Sequence, residues 1–358
     1  MEQIDLTRLK KCMGKAEKGG DLTIGFFGGS ITQDCAATVH ENSYAYRVFR
    51  WWERTFPEAK LHYVNGGIGG TTSHFGVSRV VTDMLMYQPD LVVVDFSVND
   101  EADTFFQETY EGLLRKILTW KSKPAVLLLN NVFYDTGENA QKFHNAVGDW
   151  YHVPHVSIKD TVYQKMKSGI YTREELTQDG LHPNDKGHEL LGKELIGFLE
   201  QVRAEMDERE TEARFPEPMT RNAYEQAKRL TIREISPELL GFRADTEEKR
   251  GHLDIFRNGW IGKRAGEKIT FEVTASCIAV QYRKTIARPA LRAKLVLDKD
   301  AENIWILDGN FEQDWGDCLY LETILHHGKR MLHRLEIEVL DDGGEDAAPF
   351  YLLSLIIV

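Results

Sequence analysis

Cysteine is scarce in this chain: Cys12, Cys35, Cys277 and Cys318 are the four in 358 residues, and no C-x-x-C pair occurs. Disulfides among thiols scattered this widely would need geometry that a sequence does not show, and the four read as small buried hydrophobes of a reduced, cytoplasmic protein. Long apolar runs are missing too. None approaches the roughly 20 residues that cross a bilayer, and the longest candidate, Phe350–Val358, falls far short. The opening segment Met1–Gly20 has charges with no apolar stretch behind them, so no secretory signal is expected. Basic charge is in deficit, since 44 Lys and Arg against 56 Asp and Glu leave a formal net charge of -12. That balance repels phosphate backbones and anionic membranes, so neither nucleic acid nor a membrane is expected as a partner. A homo-oligomer is compatible with the sequence. Internal repeats and low-complexity tracts are absent.

What is present is an ordinary globular balance, 42% hydrophobic and 28% charged, in a chain longer than one compact core usually holds. Over the first two hundred residues, short apolar runs alternate with amphipathic segments. The runs are Leu22–Gly28, Leu61–Asn65, Leu91–Phe96, Ala125–Leu129 and Val153–Ile158. Between them, residues such as Val77, Val80, Val81 and Leu85 recur at helical spacing. This β-α-β rhythm predicts an α/β domain with a parallel five-stranded sheet covered on both faces, closed by a helix over Pro183–Glu205. A charged stretch, Ala204–Arg214, and the FPEP sequence at Phe215–Pro218 mark a linker. Beyond about Ile235, seven short segments with period-two alternation and Gly/Asp/Lys turns predict an antiparallel β-sandwich. The expected division is 1–205 for the α/β domain, 206–234 for a charged, partly helical linker, and 235–358 for the sandwich.

Ligands bind parallel sheets at the carboxyl ends of the strands, and four segments of the first domain fall there. Gly28-Gly29-Ser30-Ile31-Thr32 follows the first strand and can expose a serine hydroxyl in a glycine turn. Asn65-Gly66-Gly67-Ile68-Gly69-Gly70 follows the second, with glycines that free backbone N–H groups to face a developing anion. A dinucleotide site competes for that loop, but its spacing is not G-x-G-x-x-G, and the chain has no G-x-x-x-x-G-K-[ST]. A purely conformational role for its glycines is the stronger rival. Ser97-Val98-Asn99-Asp100 ends the third strand with a side-chain amide that can donate into the same mouth. Asp179-Gly180-Leu181-His182-Pro183 precedes the closing helix and pairs an imidazole with a carboxylate three positions earlier. A histidine held in that way can accept a proton from a hydroxyl.

Taken together, in this order and on these loops, the four segments resemble the blocks of the SGNH (GDSL-type) hydrolases over roughly residues 22–200. The resemblance implies a flavodoxin-like sheet, Ser30 as nucleophile, His182 as general base and Asp179 as its orienting carboxylate. It also implies an oxyanion hole made by the Ser30 N–H, Gly70 and Asn99, with no cofactor. Two departures from the pattern stand out. Gly29 replaces the usual Asp before the nucleophile, and Val98 replaces the glycine before the block-three Asn. The G-x-S-x-G elbow of the α/β-hydrolases is absent. No metal is expected, because His326, His327 and His333 match no standard ligand spacing.

A domain of this type followed by a β-domain resembles the bacterial carbohydrate O-acetylesterases, including two-domain enzymes acting on mannan- or xylan-derived oligosaccharides. There the sandwich resembles a carbohydrate-binding module. The partner so implied is an acetylated oligosaccharide, imported in the absence of an export signal. Asn131, Phe133 and Tyr134 follow the fourth strand and are candidates for the cleft. Trp260, Trp305 and Trp315 are candidates for stacking on sugar rings, with core packing as the bland alternative. Two rival functions are a general short-chain carboxylesterase with the same triad and a non-catalytic sugar-binding protein.

Overall fold

The computed structural model describes residues 4–206, 214–300, 302–341, 344 and 346–358. The chain divides into two compact units, Met1–Glu225 and Gln226–Val358. Among the described residues, no helix is long and apolar enough to cross a membrane.

In the first unit, strands β1 (Asp21–Gly28), β2 (Lys60–Asn65), β3 (Leu91–Asp95), β4 (Ala125–Asn130) and β5 (His155–Ser157) form one parallel sheet in the order β2-β1-β3-β4-β5. Val92–Val94 of β3 and Leu127–Leu129 of β4 are buried. Burial on both faces is why these runs lack polar alternation. Helix α1 (Thr7–Glu17) precedes β1, the four crossovers are carried by α2 (Tyr44–Thr55), α3 (Ser73–Asp83), α4 (Thr104–Leu118) and α5 (Gln141–Trp150), and α6 (Val162–Lys167), α7 (Arg173–Leu176) and α8 (Asp185–Ala204) follow β5. Helix α8 begins two residues later than Pro183. Its cap is Asn184, whose side chain accepts the N–H groups of Lys186 and Gly187 at 3.0 and 3.1 Å.

Part of the expected linker, 207–213, lies outside the described residues. The segment after it is packed rather than loose. Glu111 of α4 accepts the backbone N–H groups of Met219 and Thr220, Glu108 accepts that of Ala223, and Arg115 pairs with Glu225 at 2.7 Å. Residues Lys228–Leu230 already form strand β6 of the second unit.

The second unit is two antiparallel sheets around one apolar core. Its further strands are β7 (Glu238–Leu240), β8 (Arg243–Ala244), β9 (Trp260–Gly262), β10 (Lys268–Ala275), β11 (Ile278–Lys284), β12 (Arg292–Leu297), β13 (Ile304–Asp308), β14 (Cys318–Leu325), β15 (Met331–Val339) and β16 (Phe350–Ile357). One sheet runs β13-β12-β15-β10-β7; the other runs β14-β11-β16-β9-β8, with β6 also paired to β16. The seven longer strands are those expected from alternation. β6 to β9 span only two or three residues each, too few to show a period.

Candidate active site

Strand order reverses between β1 and β3, and open α/β sheets bind ligands at such a crevice. The chain leaves β1 at Gly28 and turns through Gly29 and Ser30. The Gly29 N–H donates to the Asp95 carbonyl at the end of β3 at 3.2 Å. The carbonyls of Gly29 and Ser30 accept the N–H groups of Gln33 and Cys35 at 3.0 Å each. Held this way, Ser30 Oγ lies 2.8 Å from His182 Nε2. On the other side of the imidazole, Nδ1 lies 2.6 Å from Asp179 Oδ2. The second Asp179 oxygen accepts the N–H groups of Leu181 and His182 at 2.9 and 2.8 Å and the Thr177 hydroxyl at 3.1 Å. A carboxylate held by three donors cannot swing away from the ring it orients.

Charge follows the same geometry. Burial disfavours the Asp179 carboxylate, but His182 and the two backbone N–H groups outweigh it and hold its pKa at about 2. Burial also pulls His182 down. The neighbouring Cys35 side chain and the Asp179 carboxylate work against that and bring it up to about 9. Cys35 was no candidate in the sequence, yet the turn after Ser30 sets it beside the imidazole. Its carbonyl accepts from His188 Nε2 at 3.0 Å, while His188 Nδ1 accepts the Tyr44 N–H at 3.2 Å, which assigns the proton of that ring to Nε2.

The glycine loop after β2 uses most of its N–H groups internally. Those of Gly66, Gly67 and Ile68 go to the Phe26 carbonyl, the Asn65 side chain and the Gly28 carbonyl, at 2.8, 2.8 and 3.1 Å. The Gly69 N–H goes to the Gln33 side chain. Gly70, at φ +65°, follows these with an N–H that takes part in no hydrogen bond among the described residues. The Ser30 N–H and the side-chain amide of Asn99 also donate to no described residue, while the Asn99 backbone N–H goes to the Phe96 carbonyl at 3.0 Å. One residue that the sequence reading missed joins these loops. Buried Arg79 of α3 donates Nη2 to the Gly28 carbonyl at 3.0 Å and Nη1 to the Gly66 carbonyl at 2.6 Å. Its guanidinium lies 4.3 Å from the Phe27 ring centroid. Val98, the second departure, is 8% exposed and packs into the core, while neighbouring Asp100 accepts the Ser73 N–H at 2.7 Å and pairs with His144 at 3.0 Å.

The expected sugar contacts fare unevenly. Asn131 is buried and spends its amide on Asp95 Oδ2 at 2.8 Å. Tyr134 is buried too, and what it gives the site is its backbone N–H, donated to the Gly180 carbonyl at 2.7 Å. Phe133 is half-buried against the core of the first unit. Trp260 lies inside the sandwich with its ring edge-on to Phe271, so neither face is open to a sugar. Trp305 is half-buried against that core, and Trp315 is 55% exposed beside Phe311.

Residues 26–190 match the GDSL-like lipase/acylhydrolase family. Over nearly its whole length the chain is similar to a two-domain esterase (CEX) active on acetylated mannans. The identity is 44%, covering 99% of this chain and 96% of that one, with a TM-score of 0.97. The structure of that esterase co-crystallised with mannopentaose gives the same identity and a TM-score of 0.96, covering 99% of this chain and 95% of that one. An acetylxylan esterase of Geobacillus stearothermophilus is 24% identical over 208 residues, 49% of this chain and 92% of that protein.

Proposed function

Starting from a chain that belongs to the GDSL-like lipase/acylhydrolase family, we propose a serine acetylesterase that removes O-acetyl groups from mannan- or xylan-derived oligosaccharides. The observation that carries this reading is the unbroken relay Ser30 Oγ–His182–Asp179, with contacts of 2.8 and 2.6 Å. Ser30 Oγ attacks the acetyl carbonyl carbon while His182 Nε2 takes the hydroxyl proton. The oxyanion receives hydrogen bonds from the N–H groups of Ser30 and Gly70 and from the Asn99 amide. Collapse expels the sugar oxygen, which takes the proton from His182, and leaves acetyl-Ser30. Water, deprotonated by the same imidazole, then releases acetate.

Mannan is the preferred backbone, since the mannan-active esterase resembles both units of this chain. Trp315 offers an exposed indole for sugar stacking, and Phe133 and Trp305 follow as half-buried candidates. All four cysteines are free and Cys35 is exposed, which suits a reducing compartment and hence imported oligosaccharides. Acetate release from acetylated manno- and xylo-oligosaccharides, beside p-nitrophenyl acetate, butyrate and octanoate, tests this. The expected result is fastest release from the manno-series and a steep fall with acyl length. Preference for octanoate with no acetate from either sugar would assign a general carboxylesterase. Sugar binding without any turnover would leave a binding protein.

A further inference from the structure

In the second unit, the β10–β11 turn and the β14–β15 turn lie side by side. β11 pairs antiparallel with β14, Ile278 opposite Leu325, and the Gly328 N–H donates to the Ser276 carbonyl at 2.8 Å. The end of β16 joins the same corner, with the Val358 N–H donating to the Cys277 carbonyl at 3.0 Å. Cys277 is buried there, and its sulfur accepts the His327 N–H at 3.4 Å. Consecutive residues of an extended chain point to opposite sides. His326 and His327 do not, because His327 has a left-handed backbone with φ +54°. Their rings fall together, centroids 4.0 Å apart and planes tilted by 47°. One nitrogen of each ring and the Cys277 sulfur all lie within 4.8 Å of one another.

We propose that Cys277, His326 and His327 form a binding site for a zinc-class divalent ion, separate from the residues assigned to ester hydrolysis. A thiolate with two imidazoles is a borderline-soft donor set that suits zinc and disfavours calcium or magnesium, which take oxygen ligands. With bonds of about 2.0–2.3 Å, tetrahedral ligand atoms stand roughly 3.3–3.7 Å apart. His326 is the exposed member of the three, and rotation of its side chain is the movement that binding requires to reach that spacing. Binding converts the thiol to a thiolate and releases its proton to solvent, and water fills the fourth position. The ion acts as a staple, tying two turns and the end of β16.

The test is a cobalt(II) titration of the full-length, chelator-treated, reduced protein, followed by competition with zinc. The expected result is one equivalent bound, a near-ultraviolet thiolate-to-cobalt band, displacement by zinc, and an upward shift in Tm. Cys277→Ser should abolish the band. His326→Ala and His327→Ala should each weaken binding at least about tenfold, with esterase activity unchanged. If Cys277→Ser does not fold, the two histidine variants, on exposed and half-buried positions, carry the test alone. The proposal is overturned if wild type gives no thiolate band, if binding survives both histidine substitutions, or if the band disappears in Cys35→Ser instead.

Discussion

The amide of Asn99 lies directly against the bare Cα of Gly29: a Cβ at position 29 would stand 2.2 Å from Asn99 Oδ1 and 2.8 Å from Nδ2. The residue before Ser30 therefore sets the position of the side chain that the proposed mechanism uses as an oxyanion donor from another strand. A chain with GGS in place of GDS needs that glycine to keep its Asn99 where it is. Gly29→Ala and Gly29→Asp should each lower kcat by about 10²–10³, the usual effect of losing one such donor, with KM little changed. Asn99→Ala should do the same, and adding Gly29→Ala to it should cost little more. Steady-state kinetics of the double-mutant cycle checks this; full additivity would sever the link.

Arg79 is a positioning residue, since it touches backbone of both loops and no reacting atom. Arg79→Lys keeps the charge but cannot span both carbonyls as a planar fork. It should lower kcat more than tenfold while the far-ultraviolet circular dichroism of the folded chain is unchanged. A variant with wild-type kcat would show that the loops hold their register without the clamp.

In the proposed mechanism His182 must be neutral to accept the Ser30 proton. With its pKa near 9, about one molecule in a hundred is neutral at pH 7. The rate is therefore expected to climb about tenfold per pH unit from pH 6 and level off near 9. Expectation from the bare residue type would place that rise near 6.5. Cys35→Ala removes one of the two groups that push the value up, so its limb should move to lower pH. A wild-type log(kcat/KM) profile already flat at pH 7, or an unmoved limb in Cys35→Ala, contradicts the assignment.

Asp179→Asn preserves shape but supplies the wrong hydrogen-bonding partner to His182 Nδ1. By analogy with serine triads generally, kcat should fall by about 10⁴ with burst acylation lost. A loss under tenfold in stopped-flow and steady-state assays would remove Asp179 from the relay.

Burial raises Asp95 from 3.8 to about 7, against the hydrogen bonds from Asn131 and Thr32. The folded chain thus holds this proton more tightly than the unfolded chain. Stability contributed by the protonated form is present at low pH and lost as pH rises through about 7. Asp95→Asn mimics that form and should raise Tm relative to wild type at pH 8, with a gap that narrows towards pH 4. Equal Tm differences at both pH values would refute it.

The order of elements, the two units and the four loops at one sheet edge were legible in the amino-acid sequence. Apolar runs such as Val92–Val94 and motifs such as Asp179–His182 are local, and local patterns survive without coordinates. The short strands β6 to β9 were not, because two or three residues carry no period. Trp260 was misjudged because the same aromatic pattern serves a sugar surface and a sandwich core, and only burial separates them. Linear spacing cannot reveal groups that meet across the fold. Arg79 reaches Gly28 from 51 positions away, the Cys35 thiol reaches His182 through a turn, and Cys277 meets two histidines near position 326 through strand pairing. In this protein, sequence chose which chemical groups are available and on which loops they ride. Tertiary structure alone decided which N–H groups are left to donate, how far the imidazole's proton affinity moves, and which thiol has a histidine for a neighbour. Those properties depend on distances of a few ångströms and on exclusion of water, and both exist only once the chain has closed on itself.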